Sequence, residues 1–191
     1  DNSVLNFPNG AGCVAAYNLG ENANGVDGLY NATAFNVTFG KPGYLTRNTE
    51  GTIESTVSAN NDLGFSIVSW SGNSVFSSTV GHGLGVAPEL FIIKNLSSPV
   101  NWSVYSSSVG ASFKLLLNEI NQASATSNYA NTSPTSSVFS LSGGNEVNGS
   151  GSNYIAYCFH SVAGVSKVGS FVGTGVAGKK ITLDFQPAWS V

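Results

Sequence analysis

Few side chains in this chain could do chemistry, and their spacing limits what each could do. His82 sits in Gly81-His82-Gly83, where a metal or an oxyanion could be held. A zinc site needs several ligands at short, regular spacing. His82 and His160 are the only histidines, too far apart to form such a pair and without an accompanying carboxylate cluster. His82 therefore reads as a turn residue, and His160 as a strand-end residue meeting solvent or a backbone carbonyl. Glu50 and Glu54 could face the same way on a strand, as the two carboxylates of a glycoside hydrolase face one groove, but Gly51 lies between them and nothing nearby marks a raised pKa. The many serines lack a Gly-x-Ser-x-Gly elbow. The glycine-rich turns have no following helix to cradle a phosphate. The residues thus predict no catalytic site, no metal and no cofactor.

Aromatic residues are the other source of recognition chemistry, because sugars stack their apolar faces on rings. Trp70 and Trp189 occupy equivalent strand settings and read as core or subunit-interface residues, where rings contribute most area. Trp102, flanked by Asn101 and Ser103, and nearby Tyr105 are the candidate surface-binding residues. Cys13 and Cys158 are the only cysteines. Paired, they would close a long loop worth about 4 to 5 kcal/mol in the chain-entropy account. Unpaired, Cys158 is a small buried hydrophobe; two cysteines so far apart make no disulfide framework, which favours the free thiol.

The elements that must position these residues are strands. Charged residues make up 9 % of the 191, while hydrophobic residues make up 41 % and aromatic residues 11 %, so there is ample material for a core and no charge-driven disorder. The polar remainder is Ser, Thr, Asn and Gly, the residues of turns and solvent-facing strand positions. Net charge is −3 and the basic residues are scattered, which offers no stripe for nucleic acid. No apolar run reaches the roughly 18 residues of a membrane span. Asp1-Asn2-Ser3 opens no signal peptide, and the lack of Met suggests an excised mature piece or a fragment. Residues 52–57 and 64–70 alternate with period two; Leu90-Phe91-Ile92-Ile93 is a continuous apolar run led by Pro88, whose missing amide donor suits a strand start. Phe113 to Leu117 fits a strand or a short helix. Val138 to Leu141, Tyr154 to Phe159 and Val168 to Val172 supply further strands between Gly/Asn/Ser turns. The expected fold is all-β: an antiparallel, jelly-roll-like β-sandwich over residues 47–191, preceded by an extended arm or partial β-subdomain over 1–46.

A weak internal repeat links two stretches of the sandwich, residues 64–94 and 165–191. Ser69-Trp70-Ser71-Gly72-Asn73 leads through turns to Ala87-Pro88 and a strand; Ser170-Phe171-Val172-Gly173-Thr174 leads likewise to Gln186-Pro187 and Trp189. The second copy stops soon after its proline. A sheet left short there presents an edge open to strand addition, and Val4, Leu5 and Phe7 of the arm, with Trp189 and Val191, are the candidate assembly strands.

Residues 64–73, 80–88, 101–105 (Asn101-Trp102-Ser103-Val104-Tyr105), 132–139 and 153–159 together resemble a domain recurrent in structural proteins of marine bacteriophages, in tail-fibre-like and other appendage proteins of viruses that infect cyanobacteria and other marine bacteria. The resemblance runs from about Thr46 to Trp189. Residues 12–19 and 28–39 are similar to the opening strands of laminin-G/concanavalin-like jelly rolls, without the rest of that fold. The first resemblance implies a non-enzymatic virion component: a structural subunit of a tail fibre, head fibre or decoration on the particle surface. It would contact itself as a homo-oligomer or filament, other virion proteins and a host-surface glycan, with no nucleic acid and no membrane insertion. A carbohydrate-binding module or adhesin is the alternative, followed by a polysaccharide depolymerase.

Overall fold

A computed structural model describes residues 45–187 and Ser190. The chain divides into two units, 1–39 and 40–191, and the described residues belong to the second. Residues 1–44 of the arm, with Val4, Leu5, Phe7 and Cys13, and Trp189 and Val191 lie outside the described residues, while Thr46, the arm's last residue, opens the first described strand.

Among the described residues ten strands form the fold: β1 (Thr46–Asn48), β2 (Ser55–Asn60), β3 (Phe65–Ser71), β4 (Ser78–Gly81), β5 (Leu90–Asn95), β6 (Ser103–Ser106), β7 (Phe113–Leu116), β8 (Ser124–Ala125), β9 (Val138–Leu141) and β10 (Asn153–Phe159). Eight of them make one sheet in the order β1-β2-β3-β10-β5-β6-β7-β8, and β4 and β9 make a second. All strand pairs are antiparallel. The all-β, sandwich-type expectation holds. Among the described residues one short 3-10 turn, Asn61–Leu63, interrupts it; Asn60 caps its start by accepting from the Leu63 amide, and Gly64 ends it at φ 66°.

Period-two alternation sorts the large sheet into two faces. Facing the small sheet are Trp70, Val68 and Ser66 on β3, Tyr154, Ala156 and Cys158 on β10, Phe91 and Ile93 on β5, and Tyr105 on β6. Serine, alanine and cysteine line the middle of that face. They leave room for Phe139 of β9, whose ring lies 4.9 Å from that of Phe91 and 5.6 Å from that of Trp70. Val80 and Leu141 complete the contact between the sheets, all fully buried.

Two expectations need correction. Tyr105 is not a surface residue: it is 3 % exposed and its ring stacks on Phe91 at 4.6 Å. The alternation placed Trp102 and Tyr105 on opposite faces, and Tyr105 took the core side. The strand expected at Val168 to Val172 is also absent; residues 167–187 form no strand. Their backbones make no backbone hydrogen bond among the described residues. Among the described residues no strand pairs with them to complete a ladder. The stretch Phe113 to Leu117, open between helix and strand, is a strand, because Leu115 and Leu116 pair with Val104 and Ser103.

Candidate functional site

The histidines and carboxylates named from the sequence do not converge. His82 follows β4 and is fully buried against Phe139. Its Nδ1 accepts from the Leu84 amide at 3.2 Å, so Nε2 carries the proton and donates to the Thr135 carbonyl at 3.1 Å. Burial pushes its pKa down, opposed by the Thr135 hydrogen bond and the Glu50 charge. It pins the loop after β4 to the segment before β9. His160 Nδ1 meets the Ser161 carbonyl at 2.9 Å. Glu50 accepts from the Asn48 amide nitrogen at 3.0 Å, and the exposed Glu54 is paired with Arg47 at 2.5 Å. The guanidinium hydrogen bond holds the Glu54 carboxyl below its ordinary value, the opposite of what a general acid requires. Cys158 is fully buried and its thiol is pushed up to about 12 by that burial, so it is chemically quiet.

A second polar cluster sits where the loop after β3 meets the loop before β10. Asn148, fully buried, donates to Asn73 Oδ1 at 2.9 Å and to the Val75 carbonyl at 3.2 Å, and accepts from the Asn73 amide at 3.0 Å. The Tyr154 hydroxyl accepts from the Gly149 amide (2.6 Å) and Asn95 Nδ2 (3.1 Å) and donates to the Asn145 carbonyl (2.8 Å). Every one of these groups is occupied within the protein, so the cluster braces the loops and leaves no atom free to hold a ligand.

The outer face of the large sheet carries the features open to a partner. Strand register arranges it in rows. One row runs Ser58, Ile67, Tyr157, Ile92, Val104, Leu115; the next runs Asn60, Phe65, Phe159, Leu90, Ser106. Phe65 and Phe159 lie 5.0 Å apart. These rows are apolar and, apart from the buried Val104, their hydrophobic side chains are half-buried, retaining exposed surface. On the other side the character changes: Arg47, Thr56, Ser69, Ile155 and Lys94 form a mixed row. Beyond it lies an open concavity of about 660 Å³ lined by Glu54, Thr56, Ser69, Ser71, Leu96 and Asn153 side chains over the backbone of the same strands. Trp102 stands beside Lys94, whose ammonium lies 5.8 Å over its ring and donates to the Val100 carbonyl. Trp102 is half-buried, so the sequence-named aromatic is a neighbour of this site and not a free platform.

Sequence reasoning missed Thr56, Ser69, Ser71 and Asn153. They come from β2, β3 and β10, and only the antiparallel register between strands far apart in sequence brings them together. The period-two pattern of 64–70 did place Ser69 on the same face as Phe65 and Ile67, which is the signal that was available.

With the geometry established, the chain can be placed. It belongs to the family described as Domain of unknown function (DUF7483), whose model matches residues 16–191. No curated protein and no solved structure matches it.

Proposed function

We propose that this protein is a structural subunit of a phage virion appendage, a tail fibre, head fibre or decoration, that works by assembling through protein–protein contacts and carries host-surface recognition as a second role. The observation that supports this most is the apolar part of the outer sheet face, with Ile67, Tyr157, Ile92, Phe65, Phe159 and Leu90 contiguous across three strands. A broad apolar patch with solvent access is the mark of an association surface. Low charge suits such a role, since few exposed ion pairs would have to be screened or desolvated as copies meet. The segments that resemble phage appendage domains fall on β3, β4, β6 and β10 and on the approach to β9, the frame of this face and of its core.

Two measurements test the reading. Light scattering on the purified protein is expected to give a multimeric mass, and Tyr157→Lys, which puts a charge in the middle of the apolar row, is expected to reduce it to the monomer while the melting transition is kept. An antibody against the chain is expected to decorate an appendage on negatively stained particles. A monomer at high concentration together with unlabelled particles overturns the proposal.

A further inference from the structure

We infer that the polar end of the outer sheet face is a binding groove for a neutral oligosaccharide, built on β2, β3 and β10. The groove is lined by donors and acceptors that the described residues leave unused. Thr56 Oγ1, Ser69 Oγ, the Asn153 side-chain nitrogen and the second carboxylate oxygen of Glu54 have no hydrogen-bond partner among the described residues. A ligand rich in hydroxyls, each both donor and acceptor, satisfies such a mixed set better than a purely acceptor or purely donor ligand does.

Three further observations narrow the ligand. Leu96, 62 % exposed at the groove wall, offers an apolar surface for the C–H face of a sugar ring. Arg47 is paired with Glu54, while the Lys94 ammonium keeps its charge, held at the Val100 carbonyl and over the Trp102 ring two strands away from Ser69. The lining of the concavity itself holds the Glu54 carboxylate and no Lys or Arg to receive a phosphate, sulfate or uronate, which points to a neutral glycan. Beside the concavity the row of outward side chains runs from Thr56 and Ser69 past Ile155 to Lys94, with Trp102 next to it. At about 4.8 Å per strand, Trp102 stands roughly 15 Å from Ser69. That length fits several rings of a chain lying across the strands, bound along its side. The side chains that would touch it are rigidly spaced by the sheet, so little ordering cost accompanies binding.

The inference goes beyond the assembly role and does not depend on it. The test is an array of immobilised neutral and acidic oligosaccharides probed with the full chain, followed by titration calorimetry with the neutral glycan that binds best. Three variants accompany it. Thr56→Val with Ser69→Ala removes two hydroxyls and keeps strand-compatible shapes, Asn153→Ala removes the amide at the exposed start of β10, and Ser108→Ala, in the turn after β6, is the control. The expected result is neutral-glycan binding weakened at least tenfold by both groove variants and unchanged by the control, with melting curves and light-scattering mass as in the wild type. The inference is overturned if no glycan binds, if acidic glycans bind and neutral ones do not, or if the groove variants bind as the wild type does. Loss of glycan binding with assembly intact also separates this site from the association face.

Discussion

Residues 64–94 and 165–187 carry the same local pattern and reach opposite outcomes. In the first, Trp70 ends β3, Gly72 turns the chain, β4 follows, and Pro88 leads into β5. In the second, Phe171, Gly173 and Pro187 stand in matching places, yet no strand forms. Trp70 is 4 % exposed and Phe171 64 %; Val172 and Val176 are exposed at 83 % and 74 %. The difference lies in the partners. β3 is hydrogen-bonded on one side to β2 and on the other to β10, β5 lies between β10 and β6, and β4 pairs with β9. The later segment has alternation, turn glycines and a proline, and among the described residues no strand pairs with it to complete a ladder. Strand propensity is a fit to a pleated, half-buried surface, and without that surface it specifies nothing.

The comparison breaks most directly at its two aromatics. Trp70→Ala removes a ring stacked 5.4 Å from Tyr154 and set edge-on to Phe139, and is expected to cost about 3 to 5 kcal/mol in urea unfolding. Phe171→Ala is expected to stay within about 0.5 kcal/mol. Should the first variant not fold, Trp70→Phe, with a smaller loss, ranks against Phe171→Ala in the same assay. Equal costs at the two sites would mean that the second copy is as firmly built as the first.

The glycines after those aromatics sharpen the contrast. A Cβ on Gly72 would stand 2.2 Å from the Gly149 carbonyl oxygen and 2.9 Å from the Tyr154 ring, so Gly72→Ala forces the loop before β10 away, at about 1 to 3 kcal/mol. A Cβ on Gly173 meets nothing within 4 Å, and Gly173→Ala is expected to be neutral or to stabilise by up to about 1 kcal/mol through the unfolded chain. Thermal melts of the pair decide it, and a destabilising Gly173→Ala would show a packed second turn. A step down in size is Tyr154→Phe. It strips the hydroxyl shared by Gly149, Asn95 and Asn145, where the first copy is tied to β10, and is expected to cost about 1 to 2 kcal/mol. A melt unchanged from wild type would show that water replaces that hydroxyl at no cost.

What the sequence made legible follows the same line. The strands at 64–70, 90–93 and 154–159 could be read because alternation or an unbroken apolar run marks them and their neighbours exist in the fold, while the strand expected at 52–57 runs instead from Ser55 to Asn60, the register that pairs it with β3. Val168 to Val172 carried a comparable signal and formed nothing. The face each residue took was less legible: Trp102 and Tyr105 are three apart, so one must point each way, but only the position of Phe91, Tyr129 and Phe139 shows that Tyr105 is inside. The groove was invisible, since Thr56, Ser69 and Asn153 are ordinary strand polar residues until register aligns them. His82 could be read as a turn residue, while its complete burial could not, because Thr135 and Phe139 arrive from more than fifty residues away.

The smallest effect concerns that histidine, which the second copy lacks. Both ring nitrogens of His82 are engaged in the neutral form, and a second proton on Nδ1 would face the Leu84 amide with no acceptor. Burial depresses the folded-state pKa below the ordinary 6.5, while Glu50 and the Thr135 carbonyl act the other way without reversing it. Between the folded value and 6.5 the unfolded chain therefore binds a proton that the folded chain refuses. Stability from this source is complete above about pH 6.5 and declines as the pH falls toward the folded value. Glu54, whose carboxyl is depressed by Arg47, acts in a lower window, below about 4.5, so the two are separable. Urea unfolding at a series of pH values from 7.5 to about 5 is expected to show this decline in the wild type and a flat line in His82→Gln, with the Phe171→Ala variant following the wild type. A decline that persists in His82→Gln would place the acid sensitivity elsewhere and remove His82 as the pin between the loop after β4 and the approach to β9.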